Sequence, residues 1–116
     1  MIHMLSSFDL KSGENFAAFA HDYDMLLSDL RAADMIVDAG PLGARVADTP
    51  MDTDTDRTHR YFSVMRFRDR AQLDAAYAHI EARAHPGTQT HLRMYRQLTN
   101  TVFLCWEDID TGKDRT

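Results

Sequence analysis

The sequence predicts one α+β domain in which two main helices cover one face of a four-stranded antiparallel sheet. Three observations support this prediction. The chain has 116 residues, enough for one domain and too few for two ordinary ones. Its apolar positions alternate between strand and helix periods in the order β-α-β-β-α-β. Strand-helix-strand units cross over with a right hand, so both helices are expected on the same side of the sheet.

The first half of the chain predicts a strand, a long helix and an interrupted strand. The first strand runs from Ile2 to Phe8, and Ser12 is the expected N-cap of the helix that follows. One face of that helix is apolar, while the other side carries Ala18, Asp22, Met25 and Asp29; the apolar positions are Phe16, Phe19, Ala20, Tyr23, Leu26, Leu27 and Leu30. A second strand over 34–47 is expected to be broken by a kink or bulge near Pro41, because proline lacks a ladder donor.

The second half repeats this order after a polar loop. Residues 48–57 predict a mobile acidic loop, and residues 61–67 predict a strand rich in aromatic and β-branched side chains. Asp69 and Gln72 form a capping box for the second helix, which His85-Pro86-Gly87 is expected to end. A short third helix over 88–98 and a last strand over 101–106 complete the domain. We expect a single domain over residues 1–108 and a polar tail over residues 109–116.

Charge and composition disfavour several classes of protein. The net charge is −5, from 13 Lys and Arg against 18 Asp and Glu, and no basic face is concentrated enough to predict nucleic-acid binding. No apolar run approaches the roughly 20 residues needed to span a membrane, and the N-terminus lacks the pattern of a signal peptide. Cys105 is the only cysteine, so no internal disulfide is expected. These features predict a cytoplasmic protein.

Both faces of the predicted sheet are apolar. In the last strand Val102, Leu104 and Trp106 point one way, while Phe103 and Cys105 point the other. Two helices can cover only one face, and an uncovered apolar face would exceed the few hundred Å² usual for monomers. A second copy of the same sheet is the simplest cover, so we expect a homodimer. The alternative is a monomer whose third helix and tail fold over that face.

The sequence does not predict a metal site. Six histidines are present, but none has the spacing of a known metal motif. The stretch Asp52 to Asp56 resembles the opening of a calcium loop, yet the sixth and twelfth positions are Arg57 and Ser63 instead of Gly and Glu. Cys105 lies between apolar neighbours and is expected to be an unreactive thiol. No cofactor is predicted either.

Several polar and aromatic side chains are candidates for a ligand site. Arg66 lies within a strand, where a charge is costly unless it is paired or wet, so it could hold an acidic ligand or keep its head in water. A pocket between sheet and helices could bind a small hydrophobic or aromatic molecule. Its candidate lining residues are Tyr23, Tyr61, Tyr77 and Trp106, with ordinary core packing as the alternative for each.

The order Tyr77-Ala78-His79, His85-Pro86, His91 and a closing strand resembles the dimeric α/β-barrel superfamily, whose subunits have a ferredoxin-like fold. Its stress-responsive A/B barrel members tend to show His-Pro-x-His at this place, and here the interval between the two histidines is wider. The resemblance implies a homodimer that binds a small hydrophobic or aromatic molecule, or that has a stress-related, non-catalytic role.

The antibiotic-biosynthesis monooxygenase-like branch of this superfamily implies a different function. The chain would then be a cofactor-independent monooxygenase-like or isomerase-like enzyme acting on a small aromatic substrate. The candidate catalytic residues are His59, Arg66, Tyr23 and His91. His59 or His91 would act as general base, Arg66 would stabilise negative charge and Tyr23 would orient the substrate. This hypothesis predicts that His59, Arg66 and His91 converge on one cavity.

Overall fold

A computed structural model describes residues 1–81 and 86–112, with side chains for residues 1–81 and 91–112. Five strands and three helices lie within these residues. Their bounds are β1 Ile2–Leu10, α1 Phe16–Ala32, β2 Asp38–Ala39, β3 Gly43–Ala44, β4 Tyr61–Phe67, α2 Arg70–Glu81, α3 Pro86–Arg96 and β5 Leu98–Glu107. The predicted α+β class and the predicted alternation of strands and helices are confirmed.

The sheet is antiparallel, with β1 near its centre. The strand order is β2-β4-β1-β5, and β3 also pairs with β4. Met4 in β1 lies opposite Met65 in β4 and Cys105 in β5. The second strand, predicted over 34–47, is instead two separate two-residue strands on either side of Pro41. The sheet therefore has five described strands and not four, because the chain between β2 and β3 makes no continuous ladder with β4.

Helix α1 begins three residues later than predicted. Asn15, and not Ser12, is its N-cap, and the Asn15 side chain accepts a hydrogen bond from the Ala18 N–H at 3.1 Å. The reason is a turn over residues 11–14. The Glu14 N–H donates to the Lys11 carbonyl, and Gly13 has φ +86°, a conformation that L side chains rarely adopt.

The predicted cap of α2 is present at Asp69, but the returning bond from Gln72 goes to the Arg68 N–H and not to the Asp69 N–H of a standard capping box. The Gln72 N–H donates to an Asp69 carboxylate oxygen at 2.8 Å, and the Gln72 side-chain oxygen accepts from the Arg68 N–H at 2.6 Å. The predicted end of this helix at His85 lies outside the described residues. Helix α3 begins at Pro86 and ends at Arg96, whereas the sequence predicted it over 88–98.

The last strand starts earlier than predicted, at Leu98 instead of Thr101. A register shift between Ser7 and Asp9 extends the pairing of β1 with β5, and Asn100 takes a positive φ of 54° there. Asp9 holds this bulge, since its carboxylate accepts from the Asn100 amide at 3.2 Å and from the Arg60 N–H at 2.9 Å. A bulge adds one residue to one strand of a pair. Here it lets β5 begin at Leu98, two residues after α3 ends at Arg96.

The core lies between the sheet and the helices. The apolar face predicted for α1 is buried there, and its most buried members are Phe19, Leu26 and Leu30. The other side of α1 differs from the predicted one, because Asp22 is also buried. Helix α3 covers it: Arg93 donates two hydrogen bonds to the Asp22 carboxylate, at 3.0 and 3.1 Å, and Gln97 donates another at 2.9 Å.

The described chain is flat. Its radius of gyration is 15.6 Å and its thinnest dimension is 20 Å, whereas a compact domain of this length has a radius of about 13 Å. One side of the sheet carries the three helices, and the other side carries none within the described residues. We call this second side the open face. None of the described helices is both long and apolar enough to span a bilayer.

Candidate functional site

A cavity of about 280 Å³ lies between the sheet and the helices, and we call it the helix-side cavity. Its floor comes from alternate residues of β1 and β4, which point toward the helices. Its walls come from α1, α2 and α3. Most of the lining side chains are apolar: Met4, Phe8, Phe19, Leu26, Leu30, Met65, Phe67, Leu73, Ala76, Ile80, Met94, Leu98 and Phe103. The lining of the cavity is therefore mostly apolar and contains few polar groups.

Four polar side chains of the lining that are buried or half-buried face this apolar space. The Ser6 and Ser63 hydroxyls lie opposite each other in the register of β1 and β4, and both serines are buried. The Tyr23 hydroxyl and His91 Nδ1 are also buried, and neither has a hydrogen-bond partner among the described residues. Ser63 is near enough to Tyr23 to influence its pKa, but the two hydroxyls do not meet hydrogen-bond geometry.

Burial changes the ionisation of Tyr23 and His91 in opposite directions. Desolvation raises the pKa of Tyr23, since the phenolate would lose its hydration, and the nearby Ser63 hydroxyl offsets part of this effect. Desolvation lowers the pKa of His91, since the imidazolium would be charged in an apolar wall. Both side chains are therefore neutral near pH 7, so Tyr23 can donate a hydrogen bond and His91 can accept a proton.

Exposed aromatic rings mark the opening of the cavity. Tyr77, Tyr95 and Phe103 line the cavity and are also exposed to solvent. The Tyr95 ring stacks between His91 and Phe103, with centroid distances of 6.1 and 6.4 Å. An aromatic molecule entering here would meet ring faces before it reaches the buried polar groups.

Polar contacts between helices hold the cavity walls. The Asp22 carboxylate binds Arg93 and Gln97 and so fixes α3, which carries His91. The His79 ring nitrogen lies 3.1 Å from the Asp29 carboxylate, which joins α2 to α1. The two acidic residues predicted on the outer side of α1 therefore connect it to the neighbouring helices.

The structure brings together only some of the residues predicted for a site. Tyr23, Tyr77 and His91 line the helix-side cavity. Tyr61 points to the same side of the sheet but is not part of the lining; its ring packs 5.9 Å from Phe8 and 5.1 Å from Phe16.

The remaining predicted residues lie on the open face or beside it. Arg66 pairs with His3 across the ladder and forms an ion pair with Asp38 at 2.5 Å. Trp106 stacks on His3 at 5.1 Å and is 47% exposed. His59 is buried beneath a loop at the other end of this face. The predicted convergence of His59, Arg66 and His91 is therefore absent, because strand alternation sends Arg66 away from the helices and His59 precedes β4.

Sequence reasoning missed the two buried serines. Ser6 shares its strand face with Met4 and Phe8, and Ser63 shares its strand face with Met65. The signal was present in the alternation of residues, since a lone polar residue on an otherwise apolar strand face is buried with that face.

The loop over residues 45–59 lies beside the open face. Residues 48–57 of this loop were predicted to be mobile; in the structure the Arg45 side chain bridges the loop. The Arg45 guanidinium donates two hydrogen bonds of 2.7 Å to the Asp52 carboxylate, one of 2.7 Å to the Asp54 carbonyl and one to the Arg57 carbonyl. This contact lowers the pKa of the Asp52 carboxyl. Through this bidentate pair and two carbonyl contacts, the guanidinium links Arg45 to Asp52, Asp54 and Arg57 across the loop.

Between this loop and the sheet lies a second concave region of about 540 Å³, which we call the loop groove. Its floor is formed by open-face residues including Leu5, Phe62 and Leu104, and its wall is formed by the 45–59 loop. Within the described residues, no group of three or more His, Cys, Asp or Glu side chains is placed to hold a metal ion.

Solved structures similar to this chain share its fold at low sequence identity. A protein of Arabidopsis thaliana has a TM-score of 0.70 at 9% identity, with 96% of this chain and 98% of that one covered. A mutant form of a cofactor-independent oxygenase of Streptomyces nogalater has a TM-score of 0.65 at 12% identity, with 97% of each chain covered. A dimeric ferredoxin-like protein of unknown function from Jannaschia sp. CCS1 has a TM-score of 0.63 at 18% identity, covering 92% and 98%.

These similarities confirm the ferredoxin-like fold and the predicted resemblance to dimeric and monooxygenase-like proteins of that fold. At such identities they establish the fold alone. No curated protein is significantly similar to the sequence. The profile of one protein family does match, over residues 1–110. The chain therefore belongs to DUF6614, a family of unknown function.

Proposed function

We propose that this protein is a homodimer that binds a small, uncharged, mostly aromatic molecule in the helix-side cavity of each subunit. The observation that supports this most is a pair of buried polar atoms, the Tyr23 hydroxyl and His91 Nδ1, which have no partner among the described residues and lie in a mostly apolar cavity of about 280 Å³. Small-molecule sites combine such an apolar lining with a few convergent polar groups. In the stress-related form of this function, binding occurs without turnover.

The unpartnered atoms favour a ligand with one or two polar groups. A buried donor or acceptor that lacks a partner costs about 1–3 kcal/mol. A ligand hydroxyl or carbonyl placed between Tyr23 and His91 would recover this cost, and the two serine hydroxyls would add further partners. The described lining contains no carboxylate, amine or guanidinium. A charged ligand would therefore be desolvated without a counter-charge, which disfavours it.

The open face supports the homodimer. Leu104 is 57% exposed there, Trp106 is 47% exposed, and no described segment of the chain covers them. Pairing two such faces would bury apolar surface on both copies by the same contacts, as a two-fold interface requires. Several solved structures of this fold are described as dimeric, including one from Bacteroides fragilis and one from Thermobifida fusca.

A thermal-shift experiment with matched variants tests the ligand site. The ligand probes are phenol, 1-naphthol and 1,4-naphthoquinone, with 1-naphthalenesulfonate as the charged control. A ligand that binds only the folded state raises the melting temperature. We expect a shift with at least one uncharged probe and none with the sulfonate.

Two alanines of α2 provide the control. Ala76 is buried and lines the cavity, while Ala78 on the same helix is exposed. Ala76→Leu should fill part of the cavity and abolish the shift, and Ala78→Leu should leave it unchanged. Equal shifts in both variants, or no shift with any probe in the wild type, would contradict the proposed ligand site.

A second candidate function is cofactor-independent chemistry on a bound aromatic substrate. The observation that favours it is His91, a neutral imidazole on the cavity wall with its pKa lowered by burial. Such a group can take a proton from a substrate hydroxyl at pH values where free imidazole is already half protonated. With 1,4-dihydroxynaphthalene and dioxygen, proton loss to His91 would assist transfer of two electrons and two protons to dioxygen, giving 1,4-naphthoquinone and hydrogen peroxide.

Oxygen uptake above the rate without protein measures this activity. His91→Gln should return the uptake to that rate while 1-naphthol still raises the melting temperature. Uptake by the wild type should fall as the pH drops through the folded-state pKa of His91, below 6.5. No uptake above background in the wild type would reject the enzyme and leave the binding function in place.

A further inference from the structure

The loop groove lies at one end of the open face, between the sheet and the 45–59 loop. Its floor is apolar, and its wall carries two exposed apolar side chains, Val46 at 65% and Met51 at 88% exposure. The Arg45 contacts to Asp52 hold this wall in place. The Met51 side chain and the apolar floor beside it are therefore not covered by any described part of the same chain.

The opposite end of the open face has exposed apolar side chains but no described loop beside them. It carries Trp106, with Ile109 just beyond the strand at 83% exposure, and the loop does not reach it. His3 stacks on the Trp106 ring and is hydrogen-bonded to Asp108 at 2.8 Å, so the indole is held in one position. Aromatic side chains held in this way serve as anchors in protein interfaces.

Two-fold symmetry permits two ways to place one open face on another. If the axis runs along the strands, equivalent ends meet: two loops oppose each other, and two Trp106 ends face each other without a wall between them. If the axis runs across the strands, the loop end of each copy meets the Trp106 end of the other. Only the second arrangement fills the groove and covers the anchor at once.

We propose that each subunit of the dimer inserts Trp106 and Ile109 into the loop groove of its partner, against Met51 and Val46. This inference rests on the homodimer of the proposed function and adds the orientation and the contacting residues. The exposure of Trp106 at 47% and Ile109 at 83% supports it, since a second copy would cover apolar side chains that no described segment covers. By symmetry the same contact forms twice in each dimer.

Cysteine cross-linking between two differently labelled chains tests the contact. The background is Cys105→Ser, which removes the only natural cysteine. One chain carries Met51→Cys and the other Ile109→Cys, which keeps the Trp106 anchor, and the two are mixed, allowed to exchange subunits and treated with a short bis-maleimide. A covalent heterodimer should form in the mixture, while neither chain alone should form a covalent homodimer.

Two further variants make the outcome decisive. Met25→Cys, at an exposed methionine of α1, replaces Met51→Cys as the control and should give no product with the Ile109→Cys chain. A covalent homodimer of the Met51→Cys chain alone would show that loops oppose each other and would overturn the inference. A dimer by sedimentation that gives no cross-link would also overturn the inference and leave the homodimer standing. A monomer by sedimentation would overturn both.

Discussion

The two faces of the sheet are built from the same strands, yet one is covered by helices and the other exposes apolar side chains. The face toward the helices buries Phe19, Leu26 and Leu30 in a core and still leaves a cavity with two polar atoms that have no partner among the described residues. The open face exposes Leu104 and Trp106 beside a loop fixed by Arg45. In the function proposed above, the first face binds a small molecule and the second face binds a second copy of the chain. Strand alternation would then place ligand binding and assembly on opposite sides of one sheet.

The sharpest test of this division compares equal truncations on the two faces. Leu26→Ala removes a buried side chain of the core and should lower the free energy of unfolding by about 2–5 kcal/mol. Leu104→Ala removes the same atoms from the open face and should leave the unfolding of dilute, dissociated protein nearly unchanged. Chemical denaturation at low protein concentration measures both. Equal losses would show that Leu104 already belongs to a monomer core.

The next largest effect concerns assembly. Leu104→Asp places a charge where the dimer would bury it and should weaken association by about 2 kcal/mol or more, roughly 30-fold. Sedimentation equilibrium measures the constant, and the fluorescence of Trp106, the only tryptophan, should shift to longer wavelength on dissociation. Met25→Asp, at an exposed position of α1 on the other side of the sheet, is the control. An unchanged dimer in Leu104→Asp would place the interface elsewhere.

A smaller effect distinguishes the cavity from an ordinary core. Tyr23→Phe removes a buried hydroxyl that has no described hydrogen-bond partner. The unliganded protein should gain up to about 1 kcal/mol in stability, while affinity for 1-naphthol should fall by a comparable amount. Thermal unfolding with and without 1-naphthol measures both changes. Loss of stability without ligand would show that the hydroxyl has a structural partner.

The role of Arg45 is tested by hydrogen exchange in the loop. Arg45→Met keeps the length of the side chain but removes every donor to Asp52, Asp54 and Arg57. Amide exchange over residues 49–58 should become several-fold faster, while exchange in β1 should not change. Arg70→Met, which removes the exposed Arg70–Asp74 pair, is the control and should leave the loop unaffected. Unchanged exchange in Arg45→Met would mean that other contacts hold the loop.

The smallest effect is a pH dependence. Because burial lowers the pKa of His91, the unfolded chain binds a proton at this site more readily than the folded chain. The contribution of His91 to stability is complete above the unfolded pKa of 6.5 and is lost as the pH falls through the folded value. His91→Gln should therefore flatten the decline in melting temperature below pH 6.5. An unchanged decline would assign it to other groups.

The fold could be predicted from the sequence because helices and strands depend on patterns among neighbouring residues. Apolar spacing placed α1, and the Asp69–Gln72 capping box placed α2 within a residue. Strand parity in β5 correctly separated Leu104 and Trp106 from Phe103. Boundaries set by backbone contacts were less accurate: the turn at Gly13 moved the N-cap to Asn15, and the bulge held by Asp9 brought Leu98 into β5.

The site was less predictable, because it depends on which face a residue reaches and on contacts distant in sequence. Tyr23 and His91 do line one cavity, but Trp106 and Arg66 belong to strand positions that point away from it. Asp22 was read as an outer residue of α1 because its partners, Arg93 and Gln97, lie about seventy positions later. Nothing in the residue spacing of the 45–59 loop predicted that Arg45 would donate hydrogen bonds to the Asp54 and Arg57 carbonyls.

The most direct test of the account is a crystal structure with 6-bromo-2-naphthol, in which bromine marks the ligand by anomalous scattering. The account predicts a peak in the helix-side cavity, with the ligand hydroxyl within hydrogen-bond distance of Tyr23 or His91. It also predicts that the loop groove holds partner side chains and no bromine. A bromine peak in the loop groove alone would contradict the assignment of ligand binding and assembly to opposite faces of the sheet.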